Sequence, residues 1–154
     1  MIDHETRAKD LFKGGYNCAQ AVFCSFCDET GLDFNAAARL ASSFGGGIGR
    51  LREVCGAVSG MCLAAGVLYG YDDPTDTAKK AEHYKRIQQL ANEFKKKNGS
   101  IICRELLGIE QNNTSPIPEA RTSEYYKKRP CAELVGDCAK ILEDYLIKNP
   151  PENS

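Results

Sequence analysis

The stretch from Glu53 to Leu68 constrains the fold most: after its first residue, almost every side chain is small or apolar. It includes Cys55, Gly56, Ala57, Val58, Gly60, Met61, Cys62, Leu63, Ala64 and Ala65. A helix apolar on every side must be buried in the middle of a fold. This one is too short to span a bilayer, which takes about 20 apolar residues. The rest of the chain therefore has to wrap it.

The flanking segments have the pattern for that. Ala8, Leu11 and Phe12 give a helical period to residues 3–13, and Gly14-Gly15 ends it. Asn17 caps a helix from Cys18 to about Glu29, closed by Gly31, and Asp33 or Asn35 caps another over 36–43. Asp73-Pro74 opens a helix to Lys97, with Ala81, Tyr84, Ile87, Ala91 and Phe94 on its apolar stripe. His83 falls on the lysine-rich side and reads as solvated. Ser100 caps a short helix over 101–107. Residues 109–129 form a polar loop with Pro116 and Pro118, one helical turn near 124–128, and the length of a lid, which Tyr125-Tyr126 would cover or pack down. Pro130 opens the last helix, which runs to about Lys148. No segment alternates as a strand does. The expected fold is all-α, a single-domain helical bundle over residues 1–149 around the central small-residue helix, with a disordered tail at 150–154.

A net charge of −1 gives no field to attract nucleic acid or an anionic membrane. The first residues carry acids and no apolar run, so the reading expects a cytoplasmic protein without a signal peptide. Eight cysteines are then the outlier: in a reducing compartment they point to metal or redox chemistry, not to disulfides. With only two histidines, any metal site would be rich in sulfur.

Cys18, Cys55, Cys103 and Cys131 each fall in the first turn of an expected helix. Free N–H groups and the helix dipole favour a thiolate there, and Arg50, Arg52, Arg104 and Arg129 lie close in sequence. Two thiolates about 6 Å apart repel by roughly 3 kcal/mol at an effective dielectric of 20. Converging thiolates therefore call for a metal, an iron–sulfur cluster, disulfides, or protonation of some members. A four-thiolate set suits zinc or an iron–sulfur cluster. Zinc ribbons supply close cysteine pairs, whereas these are singletons tens of residues apart, which favours a cluster or a redox pair. Cys24, Cys27, Cys62 and Cys138 lie inside expected helices, where cysteine packs as a small hydrophobe. Cys24-Ser25-Phe26-Cys27 is formally a C-x-x-C but lacks the preceding strand of a thioredoxin site.

Gly45, Gly46, Gly47 and Gly49 with Arg50 form a loop that offers N–H groups to an anion or to the sulfurs of a cluster. It equally suits a tight turn between two close helices.

These residues resemble a family described as redox-active and named for its signature C…GCAxxG…C…C. Cys18, the segment from Cys55 to Gly60, Cys103 and Cys131 match it in order, and the likeness runs from about Asp10 to Ile147. Read literally, the signature has glycine before cysteine, whereas here Val54 precedes Cys55 and Gly56 follows it. The resemblance implies a redox role carried by cysteines and supplies no substrate.

Three readings follow. The first is electron transfer through a centre ligated by Cys18, Cys55, Cys103 and Cys131, an iron–sulfur cluster ahead of zinc. The second is a thiol–disulfide protein in which Cys55 or Cys131 attacks and another cysteine resolves. The third is a zinc-stabilised helical binding module. The first two call for a redox partner protein or a small-molecule thiol or electron carrier, and a homodimer is compatible with all three.

Overall fold

The computed structural model describes residues 2–108 and 114–152, and these are helical without a strand. In chain order the helices are α1 (His4–Lys13), α2 (Cys18–Ser25), α3 (Cys27–Thr30), α4 (Phe34–Ala41), α5 (Gly56–Tyr69), α6 (Thr77–Asn98), α7 (Cys103–Leu107), α8 (Ser123–Lys128) and α9 (Cys131–Lys148). A 3₁₀ turn, Ser42–Phe44, follows α4. Residues 109–113 of the expected loop and 153–154 of the expected tail lie outside the described residues.

Side-chain caps set several helix starts. Asp3 accepts from the Thr6 N–H, Asp33 from Ala36 and Asp76 from Lys79. Asn17 and Gln20 form a reciprocal capping box on α2. Two caps differ from the sequence expectation for one reason: the expected residue has already spent its side chain on a local turn. Asp73 accepts from the N–H and hydroxyl of Thr75, which leaves Asp76 to start α6. Ser100 accepts from the Ile102 N–H, so α7 begins at Cys103.

α2 packs against α1, α4, α5 and α9, and α9 also lies on α1, α5 and α6. Phe23, Phe26, Met61, Leu90, Phe94 and Leu142 fill the space between them. α2 and α5 touch backbone to backbone at Gly60, where a Cβ would sit 2.5 Å from the Ala19 carbonyl oxygen. α5 is enclosed from Gly56 to Ala65, but its last turn emerges and Val67 is 46% exposed. Among the described residues no helix is long and apolar enough to cross a membrane.

His83 is buried, contrary to the solvated reading. Its Nδ1 lies 2.9 Å from Arg86 Nη1 and Tyr71 packs edge-on against its ring, so burial and then Arg86 hold its pKa down. The lysines around it on α6 masked this, since α6 also leans on α9.

His4 ties three elements together. Its ring is fully buried and stacks on Phe26 with centroids 4.2 Å apart. Glu143 of α9 accepts from the His4 backbone N–H at 3.1 Å and lies 2.9 Å from its Nδ1, while Asp28 of α3 lies 3.1 Å from Nε2. Burial pushes the Glu143 carboxyl up, but the hydrogen bonds from His4 and then Lys140 outweigh it and hold the pKa below its ordinary 4.5. A depressed carboxylate stabilises the fold above its unfolded pKa, and that contribution is lost as pH falls through the folded value. Below pH 4.5 the melting temperature of the native chain should therefore fall more steeply than that of Glu143→Gln. Parallel slopes in thermal melts across that range would remove the clasp as a source of acid lability.

Candidate functional site

Four helix starts meet at one cavity of about 420 Å³. Cys18 is the first residue of α2, Cys55 is the N-cap of α5, Cys103 opens α7 and Cys131 opens α9, and all four line the cavity. Local chemistry dictates each placement. Asn17 fixes the entry to α2 just before Cys18, and its amide also donates to the Ser42 carbonyl, tying α2 to the 3₁₀ turn that leads into the glycine loop. Pro130 stops the preceding segment and leaves Cys131 as the first helical residue.

Cys55 and Cys103 are joined by a backbone feature that the sequence pattern did not reveal. Val54 and Ile102 form an isolated antiparallel bridge, with the Cys55 N–H donating to Ile101 at 2.8 Å and the Cys103 N–H to Glu53 at 2.6 Å. A single bridge is too short to leave an alternating strand pattern.

The glycine loop is a left-handed coil. Gly46, Gly47, Ile48, Gly49 and Arg50 have φ between +53° and +72°, and Arg52 follows at +64°. Left-handed backbone costs about 1–2 kcal/mol at each non-glycine residue, so strain is stored at the rim of the cavity. The N–H groups of Ile48, Gly49 and Arg50 are spent on the Phe44, Ser43 and Gly45 carbonyls, and Arg52 and Glu53 close the coil by donating to Gly46 and Gly47. The Gly46 N–H serves the Cys18 sulfur. Gly45, Gly46, Gly49 and Arg50 line the cavity, whereas Gly47 sits behind it, where a Cβ would meet the Cys103 Cβ at 2.8 Å. Gly56 is needed because a Cβ there would run into the Cys18 sulfur.

Helix ends do not make these cysteines thiolates by themselves. Burial pushes Cys18 and Cys55 up and takes Cys131 to about 12. Hydrogen bonds oppose it at two of them: the N–H groups of Gly46, Ala19 and Cys18 serve the Cys18 sulfur, and those of Val58 and Ala57 the Cys55 sulfur. Desolvation wins because a helix dipole supplies at most about 2 kcal/mol. The sulfurs also repel one another: charge on Cys18 or Cys103 raises Cys55 and Cys131 alike. Burial thus favours the neutral thiol at Cys18, Cys55 and Cys131, and a bound cation would have to replace those protons.

Positive charge surrounds them. Among the described residues Arg50, Arg52, Arg121 and Arg129 line the cavity with a single acid, Glu119. Arg52 is buried, with its Nη1 3.8 Å from Cys103 Sγ. Arg121 donates to the Phe12 and Tyr16 carbonyls and lies 4.2 Å over the Phe12 ring. Arg50 and Arg129 both reach Glu119, and Arg50 also donates to the Ser115 and Ile117 carbonyls. The segment from Ser115 to Tyr125 is thus strapped across the cavity, with Pro116, Pro118 and Tyr125 in its lining. Arg121 and Glu119 escaped the sequence reading because they lie in an aperiodic polar loop. Arg104 turns away, to the Arg52 carbonyl and Glu53.

The donor set distinguishes a single ion from a larger group. Tetrahedral zinc with bonds of about 2.3 Å needs sulfurs about 3.8 Å apart. Among the described residues, the only three His, Cys, Asp or Glu side chains with ligand atoms within 4.8 Å of one another are His4, Asp28 and Glu29, a set without sulfur. The four cysteines line one cavity without three of their sulfurs within 4.8 Å of one another.

The fold and site define a helical protein in which four cysteines converge from separate helix starts on one arginine-lined cavity. The chain belongs to the family described as "Putative redox-active protein (C_GCAxxG_C_C)", whose model matches residues 16–145. It is thus a cysteine-containing member of a redox-active family. Comparison with curated proteins and with solved structures returned no match.

Proposed function

We propose that this protein transfers electrons through an iron–sulfur cluster ligated by Cys18, Cys55, Cys103 and Cys131. The observation that carries the reading is their convergence on one cavity, with no three sulfurs at single-ion spacing. A bound cluster would supply one-electron chemistry. The chain's own groups would tune it. N–H groups of Gly46, Ala19, Ala57 and Val58 point at the sulfurs, and Arg52 approaches Cys103. Hydrogen bonds and positive charge favour the more negative, reduced state and raise the potential. The strap from Ser115 to Tyr125 would shield the centre on one side, and an electron carrier is the expected partner.

Raised thiol pKa values weigh against the thiol–disulfide reading for Cys55 and Cys131. At about 12, only about one Cys131 in 10⁵ is a thiolate at pH 7. Anaerobic purification after expression with iron and cysteine is expected to give a brown protein with visible absorbance that bleaches reversibly with dithionite. A colourless anaerobic product that takes up neither iron nor sulfide on reconstitution would defeat the proposal.

A further inference from the structure

The buried His4 ring meets a carboxylate at each of its nitrogens. Nδ1 lies 2.9 Å from Glu143 Oε1, and Nε2 lies 3.1 Å from both oxygens of Asp28. A neutral imidazole carries one N–H, so only one of those contacts can be an ordinary hydrogen bond. Glu143 is the fixed partner. The same oxygen accepts from the His4 backbone N–H at 3.1 Å, and its side chain is 9% exposed. With the proton on Nδ1, the Nε2 lone pair faces the Asp28 carboxylate, and two such electron-rich groups need a cation or a proton between them. The ring cannot turn away, since it has no exposure and stacks on Phe26 with 3° between the planes. Asp28 and Glu29, adjacent on α3, each offer an oxygen within 4.8 Å of the other and of a His4 ring nitrogen. Both residues are exposed, so an ion could enter from solvent.

We propose that His4 Nε2, Asp28 and Glu29 form a divalent-cation site, separate from the four cysteines, that takes a first-row ion such as manganous, ferrous or zinc ion. Glu143 stands behind it and accepts the Nδ1–H, which fixes the tautomer and makes Nε2 the better donor to a metal. Metal–nitrogen and metal–oxygen bonds of about 2.0–2.2 Å set neighbouring ligand atoms about 2.8–3.6 Å apart in octahedral or tetrahedral geometry. The 3.1 Å between His4 Nε2 and Asp28 falls in that range. One imidazole with two carboxylates suits these ions better than calcium, which takes oxygen ligands. The ion ties α1 to α3 and, through Glu143, to α9, at the end of α2 away from Cys18. Arg7 opposes it: Nη1 lies 3.5 Å from Asp28 Oδ1 and repels a cation there. A proton on Nε2 is the rival occupant. It would leave His4 as an imidazolium between Glu143 and Asp28 and give Glu29 no part.

Manganous ion is the probe, because carboxylates suit it and thiols favour softer metals. The full native chain is titrated at neutral pH, with free Mn²⁺ read by its electron paramagnetic resonance signal and thermal melts run alongside. One ion per chain is expected, with a melting temperature that rises as Mn²⁺ is added. Asp28→Asn should weaken binding at least tenfold, and Glu143→Gln about 10–100-fold. Glu29→Gln alters an exposed side chain, so the fold should persist, and it too should weaken binding at least tenfold. Arg7→Gln should bind several times more tightly. Cys18→Ser should bind Mn²⁺ as the native chain does, so a failed cluster and a failed cation site are read separately. A native chain that leaves Mn²⁺ free at millimolar concentration and melts unchanged would give Nε2 to the proton and overturn the site. So would native affinity in Glu29→Gln, or unchanged or weaker binding in Arg7→Gln.

Discussion

Serine in place of any one of Cys18, Cys55, Cys103 or Cys131 is expected to cut the iron bound per chain at least tenfold and to abolish most visible absorbance. Loss of a mere orienting neighbour typically costs metal sites about 10–100-fold in affinity, and loss of a ligand costs no less. The substitution removes little volume, so the fold should persist: Cys18 and Cys131 are half-buried, and the cavity gives the new hydroxyl room. Cys62→Ser is the comparison. Cys62 sits on α5, where burial alone raises its thiol to about 11, and it does not line the cavity. That variant should keep its iron. Iron and sulfide analysis with a visible spectrum of each variant reads the outcome. Full cluster content in any of the four, or a loss in Cys62→Ser equal to theirs, would show that the ligand set is drawn wrongly.

Gly47→Ala should lower stability by about 2–4 kcal/mol through two separate costs. Its φ of +72° strains any residue with a Cβ. That Cβ would also lie 2.6 Å from the Glu53 nitrogen, 2.8 Å from the Cys103 Cβ and 2.9 Å from the Arg52 carbonyl carbon. Two of those atoms are backbone and cannot swing away, so Cys103 must shift. For a chain of this size the expected fall in melting temperature is roughly 5–15 °C. Gly99→Ala isolates the backbone cost, since Gly99 has φ +88° with open space around it. It should cost only about 1 kcal/mol. Equal melting temperatures for the two variants would mean that the packing behind Cys103 is softer than drawn.

Several elements were legible because their causes are local. Asn17 with Gln20, Gly31 and Gly99 punctuate the chain by side-chain capping or by left-handed backbone, both of which depend on neighbours within a few residues. The small and apolar composition of residues 53–68 marked α5 as the interior helix, and Gly56, Ala57, Val58, Gly60, Met61, Ala64 and Ala65 are buried. Other starts misled because two local uses competed for one side chain. Asp73 and Ser100 both prefer caps and both prefer turns, and the turns won. His83 was hidden for another reason: burial of a helix flank depends on what is packed beside it, which spacing along that helix does not encode.

The sequence alone determined that this chain is helical, that α5 lies inside, and that its cysteines stand at helix starts, because periodicity, capping and composition act over a turn or two. Only the tertiary structure decided that those starts converge and that Arg121 and Glu119 join them. It also decided that the Cys18, Cys55 and Cys131 thiols are pushed up. The dipole of one helix is a local property that favours a thiolate, but the desolvation that outweighs it comes from every element closing on the cavity at once.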